Sequence, residues 1–278
     1  MKIEDLHDKL YEILTVVNRI CSENNISYWV DGGTEIGAVR DKNFIPWDDD
    51  VDIKILAEDY PNFRTIMKKN LPPHLHLIEP QDFSPFFYDM TIRILDDRWF
   101  LRKERPEDKA YHYYTNRVGI DVFLFCGCPE GALAKKYFIM KNSILYGMCM
   151  RFRYTVDYSK YSLIQKVQVV LLRWLGAIYA GNSPDRILRT WYNFIRTYDA
   201  NKTGWRIAIN SPIIGYYMIA LPNRLFSGTV YSNIRDLPVP LISGYDEELR
   251  IFYGNYMVPD RNPKKYFTHL DAEDLENI

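Results

Sequence analysis

Several common chemistries have too little material in this 278-residue chain. It has only four cysteines, Cys21, Cys126, Cys128 and Cys149. That is too few and too scattered for a disulfide framework. Cys126 and Cys128 are also closer together than the usual zinc-binding CxxC pair, and no second pair follows. Free thiols are expected. The five histidines (His7, His74, His76, His112, His269) show no metal-ligand spacing and form no Ser-His-Asp or Cys-His arrangement. A net charge of −1 gives no global attraction for nucleic acid, so none is expected as a partner. There is no internal repeat and no low-complexity linker. The opening MKIEDLHDKL is acidic and amphipathic, unlike the basic-then-apolar profile of a signal peptide. The longest apolar run, Val167 to Ala180, is interrupted by Gln168 and Arg173 and falls short of the ~20 residues of a spanning helix. The expectation is a cytoplasmic protein.

What is present is an ample apolar fraction, 47%, enough for one large domain or two intimate ones. Leu6, Leu10, Ile13, Leu14, Val17, Ile20 and Cys21 recur at spacings of three and four and predict an amphipathic helix over 3–23. Strands are expected at Ile26 to Val30, Val51 to Leu56, His76 to Ile78, Met90 to Leu95 and Val118 to Phe125, with a helix from Glu58 to Lys69. After Pro129 the pattern changes to long helices, roughly 131–152, 160–180 and 184–199, with a last one near Asp246 to Tyr253. The fold class is therefore α/β. Residues 1–128 are expected to form the α/β half, and 129–278 a mostly helical half packed on it. Charge is uneven. Between Gly131 and Leu175 there are eight cations and one anion, Asp157, whereas the tail carries Asp271, Glu273, Asp274 and Glu276. A basic, apolar middle suits anionic substrates or an anionic membrane surface.

The chain is organised around Asp31 to Ile55, DGGTEIGAVRDKNFIPWDDDVDIKI. On a strand, Asp50 and Asp52 project from one face, ~7 Å apart. Two carboxylates so placed can share hard divalent cations, Mg²⁺ above all, with substrate phosphates completing the shell. Upstream, Gly32-Gly33-Thr34 fits a tight turn between a strand and a short helix, which brings backbone N–H groups up to a phosphate. Together these features predict metal-dependent chemistry on a nucleotide or diphosphate. Lys54 shares the face of Asp50 and Asp52, where it either neutralises the aspartates or reaches a phosphate. In Gly119 to Phe125 (GIDVFLF), Asp121 is one acid in an apolar strand, costly to bury unless it is paired or bound to a cation. Beside Asp50 and Asp52 it would complete a metal cage or accept the proton of an attacking hydroxyl. Trp47, Tyr88 and Tyr111 to Tyr114 could form a cation–π wall for a quaternary ammonium.

The stretch YWVDGGTEIGAVRDKNFIPWDDDVDI closely resembles the signature of the LicD family, phosphocholine transferases related to fukutin-type ribitol-phosphate transferases. Looser similarity continues at Val118 to Phe125, in LPNRLFSG, and in LPVP followed by DEELRIFYGNYMVP (Asp246 to Pro259). The resemblance implies a nucleotidyltransferase-like mixed sheet with flanking helices. It also implies transfer of a phospho-alcohol, phosphocholine first, from a CDP-linked donor to a sugar hydroxyl, with release of CMP. The acceptor would be a glycan, a lipid-linked oligosaccharide or a teichoic acid precursor. Carried over by motif, Gly32, Gly33 and Thr34 hold phosphate. Asp50 and Asp52, assisted by Asp48, hold Mg²⁺ or Mn²⁺, and Asp121 is the third carboxylate. Arg40 pairs with phosphate or braces the aspartate loop. A lipid-linked acceptor would bring residues 131–180 to the inner membrane face. Three departures stand out. Glu35 replaces an apolar residue, Lys54 often a small one, and Phe125-Cys126-Gly127-Cys128 the Pro-Leu-Asp-Gly continuation of the third strand. Three alternatives remain. One is a scaffold without activity that only binds nucleotide or partner proteins, against which Asp50, Asp52 and Asp121 stand intact, and another is nucleotidyl transfer proper. The third is a DxD-type glycosyltransferase using a nucleotide-sugar, although fewer than 50 residues precede its motif, too few for a complete nucleotide-binding βαβ half.

Overall fold

The computed structural model describes residues 2–210 and 219–259. The first helix, α1 (Ile3–Glu23), buries the predicted stripe from Leu6 to Cys21 and ends at Asn24 and Asn25, the latter in a left-handed conformation. Then come β1 (Trp29–Val30), the five-residue α2 (Gly32–Ile36), β2 (Asp52–Leu56), α3 (Tyr60–Asn70), β3 (Leu75–Ile78), β4 (Ile92–Phe100) and β5 (Arg117–Gly127). Their sheet order is β1-β2-β5-β4-β3. The β2–β5 pair is parallel, whereas β1–β2, β4–β5 and β3–β4 are antiparallel. The expected mixed sheet with flanking helices is therefore observed.

Period-two alternation sorts these strands into two faces. Val30, Ile53, Ile55, Ile92, Ile94, Val118, Ile120, Val122 and Leu124 pack on the buried stripe of α1 and form the main core. The opposite face carries Asp52, Lys54, Arg93, Asp121, Phe123 and Phe125. At one end it is closed by a smaller cluster of Trp29, Phe123, Phe125, Leu225 and Phe226. Polar chemistry and apolar closure thus share one surface of the sheet.

The second half begins with α4 (Ala132–Cys149) and α5 (Leu163–Ala180), close to two of the predicted helices, then α6 (Asp185–Phe194), which stops short of the predicted 199, and a short α7 (Ala200–Thr203) that was not predicted. A capping box between Ser162 and Gln165 starts α5. The half is not only helical. The strand β6 (Trp205–Ala208) pairs with the end of β5 and with β7 (Leu221–Pro222), so the sheet continues across residue 128. The Asn210 side chain extends that edge, accepting from the Leu124 N–H and donating to the Val122 carbonyl. A hairpin of β8 (Thr229–Ile234) and β9 (Leu237–Ile242) precedes α8 (Tyr245–Tyr253). The acidic tail residues and His269 lie outside the described residues. Among the described residues one helix, α5, is long and apolar enough to cross a membrane by length and composition, because the apolar run extends back through Leu163.

Candidate active site

Two of the three predicted acids face each other across neighbouring strands. Asp52 on β2 is in register with Asp121 on β5, and parallel pairing points both side chains to the same face. Their backbones are pinned: the Asp121 N–H donates to the Val51 carbonyl at 2.9 Å, and the Asp52 N–H donates to Thr34 Oγ1 at 2.9 Å. Asp50 lies just before β2 rather than on it, so strand alternation does not place it. It is nevertheless near. Asp52 is buried, and its carboxyl is held well above the usual range first by that burial, then by repulsion from Asp50, Asp121, Asp31 and Asp48. Mutually repelling acids of this kind could hold a hard dication, whose binding would relieve the repulsion.

One cation already reaches this group. Arg93, opposite Asp121 on β4, places Nε 3.2 Å from Asp121 Oδ1 and grips Asp89 with both terminal nitrogens at 2.8 and 2.6 Å. Burial would favour its neutral form, but Asp121 and Asp89 override that and keep the guanidinium charged. The Tyr88 ring stands 5.5 Å from it. Asp49, Tyr88, Arg93 and Asp121 line a common cleft. Arg93 is absent from the residues that the sequence motifs point to. Yet an arginine within TIRIL is as conspicuous in an apolar strand as Asp121 is in GIDVFLF.

The glycine turn binds the aspartate loop. Gly32 has φ +55°, a conformation open to glycine. A Cβ on Gly33 would overlap Asp48 Oδ2, so that glycine admits the aspartate. Thr34 is buried and its hydroxyl oxygen accepts from the Asp52 amide, while the Asp31 N–H donates to the Asp52 carbonyl at 2.9 Å. The turn therefore fixes where β2 starts. Two remote groups steady the same loop. His7 of α1 lies 2.7 Å from the Asp48 carbonyl, and burial lowers the His7 pKa. Arg40 forks onto Asp41 and donates to the Tyr256 carbonyl at 3.1 Å, tying the segment after α2 to that after α8.

Lys54 is placed differently from a phosphate ligand. It is fully buried, 3.1 Å from Asp31, 2.8 Å from Glu35 and bonded to Glu248 of α8. Burial would depress its pKa, but these three carboxylates hold it above its ordinary value. In this structure the ammonium is closed to solvent, and the acids it neutralises are these three rather than Asp50 and Asp52. The three carboxylates each offer an oxygen within 4.8 Å of the others, a spacing that would suit a metal, but the ammonium serves as their cation. Asp31 Oδ2, Glu35 Oε1 and Glu248 Oε1 have no hydrogen-bond partner. With one lysine among three buried acids, Glu35 and Glu248 resist ionisation. Burial is the main reason that Glu35 is pushed well up and Glu248 to about 7.

The aromatic residues divide. Tyr88 and Tyr111 pack with Phe83, Phe86 and Tyr114, whereas Trp47 belongs to a separate group with Ile36, Ile45 and Leu249. A single wall containing all of them is therefore not formed. Tyr88 already faces two guanidiniums, Arg93 and Arg153.

Residues 25–142 match the family described as the LicD/FKTN/FKRP nucleotidyltransferase domain. The chain is 23% identical over 250 residues to the lipopolysaccharide cholinephosphotransferase LicD of Haemophilus influenzae, covering 88% of this chain and 87% of that protein. Human ribitol 5-phosphate transferase FKRP is 40% identical over 53 residues, which are 19% of this chain and 11% of that protein. An uncharacterised protein of Rickettsia typhi is 43% identical over 58 residues, 21% of this chain and 19% of that one.

Proposed function

We propose, for a chain that carries a LicD-family nucleotidyltransferase domain, that it transfers a phospho-alcohol from a CDP-linked donor to a sugar hydroxyl and releases CMP. Phosphocholine is the first candidate for the transferred group, and a lipopolysaccharide or related cell-surface glycan for the acceptor. Both follow the relative from Haemophilus influenzae, which matches along most of its length. The observation that carries the reading is the in-register pair Asp52–Asp121 with Asp50 close by, an acid group whose mutual repulsion a dication would relieve.

Asp50 and Asp52, with Asp48 beside them, are the residues that would hold Mg²⁺ or Mn²⁺, which when bound screens diphosphate charge. The chain's own groups account for the rest. The acceptor oxygen forms a bond to the phosphorus bearing the alcohol as the bond from that phosphorus to the CMP oxygen breaks. Asp121 takes the hydroxyl proton, and Arg93 keeps it oriented. Gly32, Gly33 and Thr34 hold β2 in place, so that the acids meet the substrate without rearrangement. Arg40 braces that assembly from behind. Positioning and electrostatics do nearly all the work in phosphoryl transfer of this kind.

The test is a panel of CDP-choline, CDP-ribitol, CDP-glycerol and CDP-ethanolamine, scored for Mg²⁺-dependent CMP formation with candidate glycan acceptors. Asp50→Asn and Asp52→Asn should each lower the rate by at least ~10²-fold while thermal unfolding is preserved. Near-normal turnover in either variant removes that residue from the mechanism. UDP-sugar turnover in place of CMP release would favour the glycosyltransferase alternative, and a product carrying the nucleotide would favour nucleotidyl transfer.

A further inference from the structure

We infer that the cleft beside β5 seats the sugar ring of the acceptor, and that the hydroxyls of Tyr88 and Tyr114 help to select it; the acceptor role rests on the transfer reading above. Residues 117, 119 and 121 of β5 alternate onto one face. The cleft is lined by all three, from Asp121 to Arg117, a span of about 13 Å along a strand. Between the two ends stands Gly119, where a Cβ would overlap Leu95 Cδ2 and the Ile94 carbonyl oxygen, so no side chain of β5 interrupts the passage. With its open mouth the cleft holds ≈ 530 Å³ of free space, enough for a sugar ring. One end is Asp121, which takes the proton of the attacking hydroxyl. A ring lying here therefore presents its hydroxyl where the reaction needs it.

The lining suits a neutral ligand rich in hydroxyls. Its charged side chains, Asp49, Arg93, Arg117 and Asp121, cancel in sum, and Leu95 and Leu101 offer apolar surface to the C–H side of a ring. A sugar hydroxyl both donates and accepts, and donors and acceptors stand side by side here. The Arg117 guanidinium lies 3.9 Å from the centre of the Phe100 ring and donates to the Asp97 carbonyl at 2.6 Å, with N–H groups to spare. Thr115 gives its hydroxyl proton to Asp108 at 3.0 Å, which leaves the oxygen as an acceptor. Among the described residues the Tyr88 and Tyr114 hydroxyls have no hydrogen-bond partner, and neither is closed off from solvent. Both can donate to a ligand and accept from it.

The same lining turns away both parts of the donor. A quaternary ammonium seeks a bare aromatic face. The Tyr88 ring has Arg93 at 5.5 Å and Arg153 at 5.7 Å, and it stacks on Phe83 at 5.8 Å. Tyr114 meets Phe83 edge to face at 5.5 Å. Arg93 and Arg117 in the wall also repel a cation. A diphosphate fits no better, because Arg93 is already shared between Asp89 and Asp121 and two carboxylates line the cleft. The donor is left to Asp50 and Asp52, and the cleft to the acceptor.

The experiment is saturation-transfer NMR of the full chain, without donor or metal, against a panel of methyl hexopyranosides and methyl N-acetylhexosaminides, with choline chloride as competitor. Wild type should transfer saturation to at least one sugar, and choline should not displace it. Tyr114→Phe should weaken that binding about tenfold with the melting temperature preserved. Tyr88→Phe provides the same readout if Tyr114→Phe misfolds. In the turnover assay the acceptor KM should rise in these variants while the donor KM holds. No transfer to any sugar, displacement by choline, or unchanged sugar affinity in both folded variants would overturn the subsite. Sugar binding that the variants weaken, without CMP release from any donor, would uphold a sugar site and sink the transfer reading. CMP release with an acceptor KM that neither variant moves would sink the subsite alone.

Discussion

Replacing Glu248 by Gln should stabilise the protein at pH 8 and leave it nearly unchanged at pH 5. The reasoning begins with charge in a closed space: Asp31, Glu35 and Glu248 surround one Lys54, and each acid has an oxygen without a partner. Burial lifts Glu248 from an ordinary 4.5 to about 7. Folded protein therefore holds a proton that the unfolded chain releases between those values. A group raised in this way contributes stability in full below the unfolded value and loses it as pH climbs through the folded one. At about 1.4 kcal/mol per pH unit, the loss across the window is on the order of 3 kcal/mol. Glutamine has the shape of the protonated acid and can offer Lys54 a carbonyl oxygen, but it has no proton to lose. For a chain of 278 residues, with an unfolding entropy of about 2.1 cal/mol/K per residue, 3 kcal/mol corresponds to roughly 5 °C in melting temperature. Thermal unfolding of both proteins from pH 5 to pH 8 is the assay. The wild-type curve should fall relative to the variant between about 4.5 and 7 and run parallel to it above. A variant less stable than wild type at pH 8 would mean that ionised Glu248 is a favourable partner of Lys54, and would refute a proton held on that acid in the folded state.

Two further substitutions probe the acid group itself. Gly33→Ala should expel the Asp48 side chain, lowering stability by about 1 kcal/mol and activity at least about tenfold. Adding Asp48→Gly should restore the stability and not the activity, and strictly additive losses in the double variant would show that the two residues do not meet. Arg93→Met leaves Asp89 and Asp121 without their shared cation, which should cost about 3–5 kcal/mol in thermal or denaturant unfolding. Arg93→Lys should recover part of that stability but not the two-pronged grip on Asp89, and full recovery would show that geometry is unimportant there.

Local periodicity made much of this molecule legible. The stripe of α1, the apolar run of β5 and the change to helices after Pro129 are short-range signals, and each appears close to its expected bounds. Asp52 and Asp121 could be paired because one acid in an apolar strand demands a partner. Other features were hidden because they depend on long-range contacts. Nothing local shows that β6, some eighty residues after β5, completes the same sheet, or that Glu248 returns to Lys54. Thr34 reads as a phosphate ligand from its place after two glycines, and nothing local shows that its hydroxyl oxygen also accepts from the Asp52 amide. The placement of Asp50 failed at a boundary: β2 begins two residues too late for alternation to govern it.

Two departures from the family pattern turn out to be a single one. Glu35 stands where an apolar residue is usual and Lys54 where a small one is common, and in the fold these two bond each other at 2.8 Å without access to water. Glu35 without Lys54 would add a third buried acid to Asp31 and Glu248 with no cation among them, a loss of several kcal/mol if it ionised, whereas Lys54 without Glu35 would still meet the other two. Together, with Asp31 and Glu248, they form an ionic plug behind the glycine turn. Asp31 links the plug to the site: its carboxylate contacts Lys54, and its amide holds the Asp52 carbonyl. The acid that needs a cation in front is therefore anchored to a chain segment neutralised from behind. Glu248 adds to the plug from α8, while His7 from α1 and the Tyr256 carbonyl after α8 brace the neighbouring loop. The acids thus sit among contacts from both ends of the described chain, and the half drawn at residues 1–128 is tied to α8 and the segment after it.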